Sequence, residues 1–241
     1  MLIVTDRHTR ADLELYKDYE EIDRINAVPP GRVERSLRVI EEWLDSHPET
    51  AAYTSWGKDS VVLLHLLSMT KRSVPVVYMR FTDRDNPDCV LVRDIFLKTH
   101  DIDYHEDFFE YREVRKSGAH WKALQKKYGP YKMLGIRNDE SGVRRMLFQI
   151  YRESSIYSCR PLSLWKNREV FAYIQREGLP LSPVYGYLGG GRWDREHIRT
   201  HSLAGTSGDG MGRTEWEKEY YPDILARVKL QEKRIMGGTQ C

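Results

Sequence analysis

Val33, Leu37, Ile40 and Leu44 recur three or four residues apart, the spacing that lays one apolar stripe along a helix. His47-Pro48 stops the stripe. Residues 50 to 54 then read as a strand, 59 to 70 as a helix, and 74 to 81, rich in Val and Tyr, as a second strand. A helix over 88 to 100 follows, with Val92, Ile95 and Phe96 on its apolar side, and then a short strand over 102 to 105. Alternation of this kind predicts an α/β fold, a parallel twisted sheet with helices on both faces. Further along, Leu134-Gly135-Ile136 reads as another buried strand, followed by helices over 143 to 153 and 166 to 177, the latter stopped at Gly178. Before this pattern lie 28 polar, mildly acidic residues, set off by Pro29-Pro30-Gly31. After Pro183 it loosens into two glycine-rich loops, 186–192 and 205–213, and an amphipathic segment, 214–233, interrupted by Pro222. The expected division is a polar segment over 1–30, an α/β domain over 31–185 and an irregular extension over 186–241.

Between the first strand and its helix the chain reads Ser55-Trp56-Gly57-Lys58-Asp59-Ser60. A strand feeding a helix through such a turn aims backbone N–H groups and the positive helix end at one point, which makes an anion site. Gly57 allows close approach of the backbone, Ser55 and Ser60 supply hydroxyls, and Lys58 adds a mobile positive charge. Asp59 either caps the helix or orients Mg²⁺ through water. The Walker spacing is absent.

Composition excludes several classes. With 40% hydrophobic and 31% charged residues in 241, the chain is that of an ordinary globular protein. No apolar run nears the roughly 18 residues of a membrane span, and the opening MLIVTDRHTR is not a secretory signal. Three scattered cysteines, Cys89, Cys159 and Cys241, form no CxxC, so neither a disulfide framework nor an iron–sulfur cluster is expected, and the setting reads as a reducing cytoplasm. The net charge of +2 is uneven: residues 111 to 145 hold ten Lys/Arg against three Asp/Glu, interleaved with Tyr111, Trp121, Tyr128 and Tyr131. That segment is either a solvated helical face with core aromatics or a surface for a polyanion.

The turn resembles the Ser-Gly-Gly-x-Asp-Ser signature of the PP-loop ATP pyrophosphatases, with Trp56 where the first glycine usually sits. Two further stretches strengthen the resemblance. LGIRNDES (134 to 141), followed by Arg144 and Arg145, is similar to the Gly-x-Arg-x-x-Glu-Ser segment of phosphoadenosine-phosphosulfate (PAPS) reductases. RPLSLWKNREVFAYI (160 to 174), continued by LPLSPVYGYLG, is similar to their Arg-Pro-Leu-x-x-Trp stretch. The resemblance implies an adenine nucleotide alpha hydrolase-like fold, with residues 31–185 as its nucleotide-binding domain, and ATP and Mg²⁺ as cofactors. It assigns catalysis to Lys58, Asp59, Arg137 and Arg145, nucleotide contact to Ser55, Trp56, Gly57, Ser60, Gly135 and Arg160, and Mg²⁺ to Asp59. Trp165, Val170 and Ile174 are expected in the core.

Among these relatives, a PAPS reductase carries a Glu-Cys-Gly-x-His tail, whereas this sequence reads GGTQC up to Cys241. The cluster-free ATP pyrophosphatase of single-stranded DNA phosphorothioation fits size, cysteine count and basic segment. It implies cleavage of ATP to AMP and pyrophosphate, DNA as substrate, a cysteine desulfurase as sulfur donor and other modification-complex subunits as partners. The alternatives are a PAPS/APS reductase-like or other sulfotransfer enzyme, and a non-catalytic nucleotide sensor. His197 and His201, four apart, suit a metal pair or a surface role. Cys159 beside Arg160 is either a thiol of lowered pKa or a buried structural cysteine.

Overall fold

The computed structural model describes residues 1–111, 118–200, 202–204 and 212–237. Its centre is a six-stranded sheet in the order β3-β2-β1-β4-β6-β5, formed by β1 (Thr50–Thr54), β2 (Val76–Phe81), β3 (Tyr104–Phe109), β4 (Tyr131–Leu134), β5 (Ser154–Ser155) and β6 (Ser158–Cys159). Every pairing is parallel except β5 with β6. The antiparallel edge departs from a wholly parallel sheet because only two residues separate β5 from β6, enough for a tight turn and far too few for a crossover.

Around the sheet lie α1 (Arg10–Ile25), α2 (Arg32–Ser46), α3 (Lys58–Met69), α4 (Pro87–Leu97), α5 (Ala119–Tyr128), α6 (Gly142–Tyr151), α7 (Asn167–Arg176), α8 (Arg213–Tyr220) and α9 (Pro222–Gly237). Alternation along the strands sorts the two faces. Ala52, Val76, Tyr78 and Met133 join the main core with α2, α3, α4 and α7. Ala51, Tyr53 and Val77 turn the other way, against Leu124 and Trp121 of α5. Helices therefore cover both faces, as expected. Trp165, Val170 and Ile174 are buried in the main core.

In α3, Val61, Val62, Leu63, Leu64, Leu66 and Leu67 are all buried. A helix apolar on every side belongs inside, and each such side chain contributes about 1.5–3 kcal/mol of burial. This rigid rod fixes the position of its own N-terminus. Strand β4 ends two residues earlier than the apolar run suggests. Its pairing with β1 stops at Tyr53↔Leu134, and Gly135 then passes against the start of α3.

The polar N-terminal residues are stitched into the fold. Leu2 bridges Leu181, and Thr9 and Asp12 make a capping box on α1. Asp12 is fully buried. Its carboxylate also accepts from the backbone N–H of Leu188 (3.0 Å) and Gly190 (3.2 Å) and from the Tyr220 hydroxyl (2.9 Å). Asp23 pairs with Arg195, both nearly inaccessible. The C-terminal segment is equally engaged, since Tyr221 and Tyr187 both donate to Asp88, at 2.6 and 2.8 Å. Among the described residues no helix is long and apolar enough to cross a membrane.

Candidate functional site

The chain leaves β1 through Ser55, Trp56 and Gly57 and enters α3 at Lys58. Trp56 adopts φ +55°, a left-handed conformation that a bulky residue holds only when its surroundings impose it. Its ring is fully buried, with the rings of Phe96 at 5.7 Å and Tyr104 at 5.6 Å. The ring is thus a core anchor outside the cleft lining, while its neighbours Ser55 and Gly57 line the cleft. That differs from the nucleotide contact expected of Trp56, because the indole packs against Phe96 of α4 and Tyr104 of β3 in the core.

The cleft measures about 480 Å³, within the range of small-ligand sites. At its floor, Lys58 Nζ lies 3.0 Å from Asp59 Oδ2 and over the rings of Phe171 and Tyr185, at 5.6 and 5.3 Å. Arg137 Nε takes the other carboxylate oxygen of Asp59, and Arg137 Nη1 bonds to Asp139. Burial alone would push the Asp59 carboxyl up, but Lys58 and Arg137 outweigh it and hold the group below its ordinary value. Glu140 accepts from the Arg137 backbone N–H at 3.0 Å and pairs with Arg144. The Ser60 hydroxyl donates to Gly57 O at 2.9 Å. Among the described residues, the N–H groups of Asp59 and Ser60 have no hydrogen-bond acceptor, so the helix start keeps two free donors.

Gly135 belongs here for a steric reason. A Cβ on it would sit 2.8 Å from Asp59 O and 2.9 Å from the same carbonyl carbon. Only glycine lets the segment after β4 cross the start of α3 and deliver Arg137 to Asp59.

Two expected arginines lie elsewhere. Arg145 is exposed and outside the cleft lining, and Arg144 lines it instead. The reason is the start of α6: Ser141 Oγ accepts from Arg144 N at 3.2 Å, and the Arg144 side chain turns back to Glu140. Arg160 also lies outside the lining. Its Nε and Nη2 have no partner among the described residues, and burial lowers its pKa.

An apolar end of the cleft, formed by Tyr53, Met79, Trp121 and Leu134, suits a flat base. Tyr53 and Trp121 meet edge to face at 5.3 Å. Tyr185 and the segment Glu196 to Thr200 also line the cleft. Sequence spacing does not mark Tyr53, Met79, Tyr185 or Thr200 as ligand contacts, and it marks Trp121 only as one of the aromatics within the basic segment. Tyr185 sits inside the LPLSPVYGYLG stretch, and Thr200 lies between the two histidines noted for their spacing. His197 lines the cleft and bonds to Asp194 at 3.0 Å. His201 falls outside the described residues, as do Gly208 and Gly210, whereas Gly212 caps α8 with φ +71°.

The cysteines near the site are structural thiols. Burial pushes Cys159 up to about 12, and it packs in the core. Cys89 is raised further by burial, and its Sγ donates to Ser55 O at 3.4 Å. Cys241 lies outside the described residues.

In the basic segment, Lys127 pairs with Asp107 at 2.8 Å and Lys132 lies 4.7 Å over the Trp121 ring. Tyr128 donates to Asp107 at 2.6 Å, and Tyr131 meets Trp43 edge to face. Arg115 and Lys116 fall outside the described residues. Tyr128 and Tyr131 are thus packing partners of the fold, while Trp121 packs on Tyr53 and also lines the cleft.

Residues 83–188 match the family model for the phosphoadenosine phosphosulfate reductase domain. Phosphoadenosine 5'-phosphosulfate reductase of Salmonella arizonae is 26% identical over 206 residues, covering 73% of this chain and 84% of that protein. Its counterpart in Escherichia coli O9:H4 is 24% identical over 209 residues, covering 75% and 86%. The PAPS reductase of Candida auris superposes with TM-score 0.52 at 17% identity, over 75% of this chain and 98% of that one. These matches do not support the DNA phosphorothioation expected from sequence. The sheet and its helices match adenine nucleotide alpha hydrolase-like structures.

Proposed function

We propose that this PAPS reductase-like chain, distantly homologous to PAPS reductases, is an enzyme of sulfur transfer acting on an adenine nucleotide whose 5′-phosphate carries an activated group, PAPS or its 3′-dephospho counterpart APS. One observation carries the reading. Lys58 and Arg137 converge on one point at the N-terminus of α3, and the same cleft ends in the apolar slot of Tyr53, Met79, Trp121 and Leu134. A base in the slot lays its phosphate chain over the free N–H groups of Asp59 and Ser60. A nucleophile attacking the activated group releases an anion, and preorganised cations at that point stabilise the charge as it develops.

Mg²⁺ does not fit the carboxylates as they stand. Asp59 has both oxygens engaged, Asp139 is held by Arg137, and Glu140 by Arg144. Of the carboxylates lining the cleft only Glu196 lacks a cationic partner among the described residues, and Mg²⁺ usually takes one or two carboxylates together with phosphate and water.

A second reading, cleavage of ATP at the α-phosphorus with release of pyrophosphate, is favoured by the Ser-x-Gly-Lys-Asp-Ser turn itself. Under it a cysteine desulfurase and DNA are the partners. The deciding experiment incubates the protein with PAPS, APS or ATP and a thiol reductant, and follows sulfite and pyrophosphate. Sulfite from PAPS or APS supports the first reading, and pyrophosphate from ATP transfers support to the second. No binding of any of the three by calorimetry overturns both.

A further inference from the structure

Gly57 is surrounded by hydroxyls from three separate segments. A Cβ placed on it would lie 2.9 Å from Thr200 Oγ1, 3.2 Å from Tyr185 Oη and 3.5 Å from Ser55 Oγ. All four residues line the cleft. Tyr185 is 2% exposed and Thr200 5%, so neither hydroxyl is a casual surface group. The Tyr185 oxygen accepts from the Lys58 backbone N–H at 3.1 Å. Its own proton, and the hydroxyl of Thr200, have no partner among the described residues. Both side chains line the cleft, and Thr200 Oγ1 is not among the unsatisfied buried atoms. A buried tyrosine that uses only its acceptor side holds a donor in reserve, and burial raises its pKa, so the proton stays on.

From this convergence we propose that Tyr185 and Thr200, with Ser55, form a hydroxyl cradle above Gly57 that binds the terminal tetrahedral oxyanion of the nucleotide, a phosphoryl or sulfuryl group. The inference deepens the proposed function and rests on it. The donors are neutral, so they add directed hydrogen bonds to the charge supplied by Lys58 and Arg137, and the missing Cβ of Gly57 lets the Thr200 and Tyr185 hydroxyls close in over the turn. Thr200 sits on the rim facing α3, and its backbone oxygen is gripped by Asn86 Nδ2 at 2.6 Å. Tyr185 is held by packing on Phe171, with ring centroids 5.5 Å apart. The cradle is thus set before any ligand arrives.

Calorimetric titration with inorganic pyrophosphate, sulfate and adenosine tests the cradle in the wild-type chain and in Tyr185→Phe, Thr200→Val, Thr200→Ser and Gly57→Ala. Tyr185→Phe and Thr200→Val are each expected to weaken pyrophosphate or sulfate about tenfold, the usual effect of losing a hydrogen bond to a charged group. Adenosine affinity stays within about twofold, a separation that general loosening of the fold would not give. Thr200→Ser retains wild-type affinity, and Gly57→Ala, whose methyl crowds the Thr200 and Tyr185 hydroxyls out of place, weakens the oxyanion as well. Loss with pyrophosphate alone assigns the cradle to a phosphoryl group, and loss with sulfate to a sulfuryl group. Tyr185→Phe removes the acceptor for the first helical N–H, so if it fails to fold, Thr200→Val decides. A wild-type chain that binds PAPS, APS or ATP, with oxyanion affinity unchanged in Thr200→Val, overturns the cradle and leaves the proposed function standing. A wild-type chain that binds none of them overturns both.

Discussion

Arg137 reaches back across 78 residues of sequence to hold the carboxylate of Asp59. With Lys58 on the other oxygen, Asp59 is the anion on which two cations meet. Replacing it with Asn leaves those cations facing each other without compensation, at a cost of about 3 kcal/mol. The carboxyl is held below its ordinary range, so this stability is fully present above the unfolded value near 3.8 and is lost as pH falls through the lower folded value. Urea unfolding of wild type and Asp59→Asn should show a gap at pH 7 that narrows steadily below about pH 4. A gap independent of pH would mean that Asp59 stabilises the fold through packing instead.

Lys58→Ala removes the buried cation of the floor while leaving Arg137 on Asp59. Turnover of the nucleotide should drop by about two to three orders of magnitude, with adenosine affinity almost unchanged. Steady-state kinetics paired with an adenosine titration checks this. Equal weakening of adenosine would place Lys58 at the base end of the cleft.

Gly135→Ala forces a methyl to within 2.8 Å of the Asp59 carbonyl oxygen, and backbone cannot rotate away as a side chain can. The expected loss is about 1–3 kcal/mol of stability, together with weaker nucleotide binding as Arg137 shifts. Chemical denaturation and a binding titration on the same preparation measure both. An unperturbed variant would show that the crossing over α3 is looser than described.

Asp23 and Arg195, 3% and 4% exposed, are joined by two hydrogen bonds. Arg195→Leu should destabilise by about 3–5 kcal/mol, because a buried carboxylate loses its partner. Adding Asp23→Leu should recover a large part of that loss, which a double-mutant cycle reads directly. Costs that simply add would deny the pair its coupling.

Elements written in local spacing were legible in the sequence. The stripe of α2, the all-apolar α3 and strand β2 each depend on residues within a few positions of one another. So does the turn at Gly57, where strand end, glycine and helix start are contiguous. What stayed hidden depends on distant partners. Tyr185 meets Lys58 across 127 residues, and no periodicity in either segment records that meeting. The exchange of Arg145 for Arg144 has a different cause: one position along a helix turns a side chain by about 100°, and the Ser141 cap sets the phase. Trp56 stood within a binding motif, yet its ring packs in the core and only its neighbours reach the cleft.

The knot at Asp12 has a temporal meaning. Its partners lie 176, 178 and 208 residues further along the chain. At about 5–20 residues per second of synthesis, that carboxylate has only its local Thr9 partner for on the order of 10–40 seconds before Tyr220 exists to meet it. The sheet strands closest to the turn can pair long before then, but the loop at Leu188 to Gly190 cannot settle between α1 and α8. Ribosome-bound chains halted short of Tyr220 should therefore expose α1 to proteases, and that loop should be among the last parts of the molecule to settle.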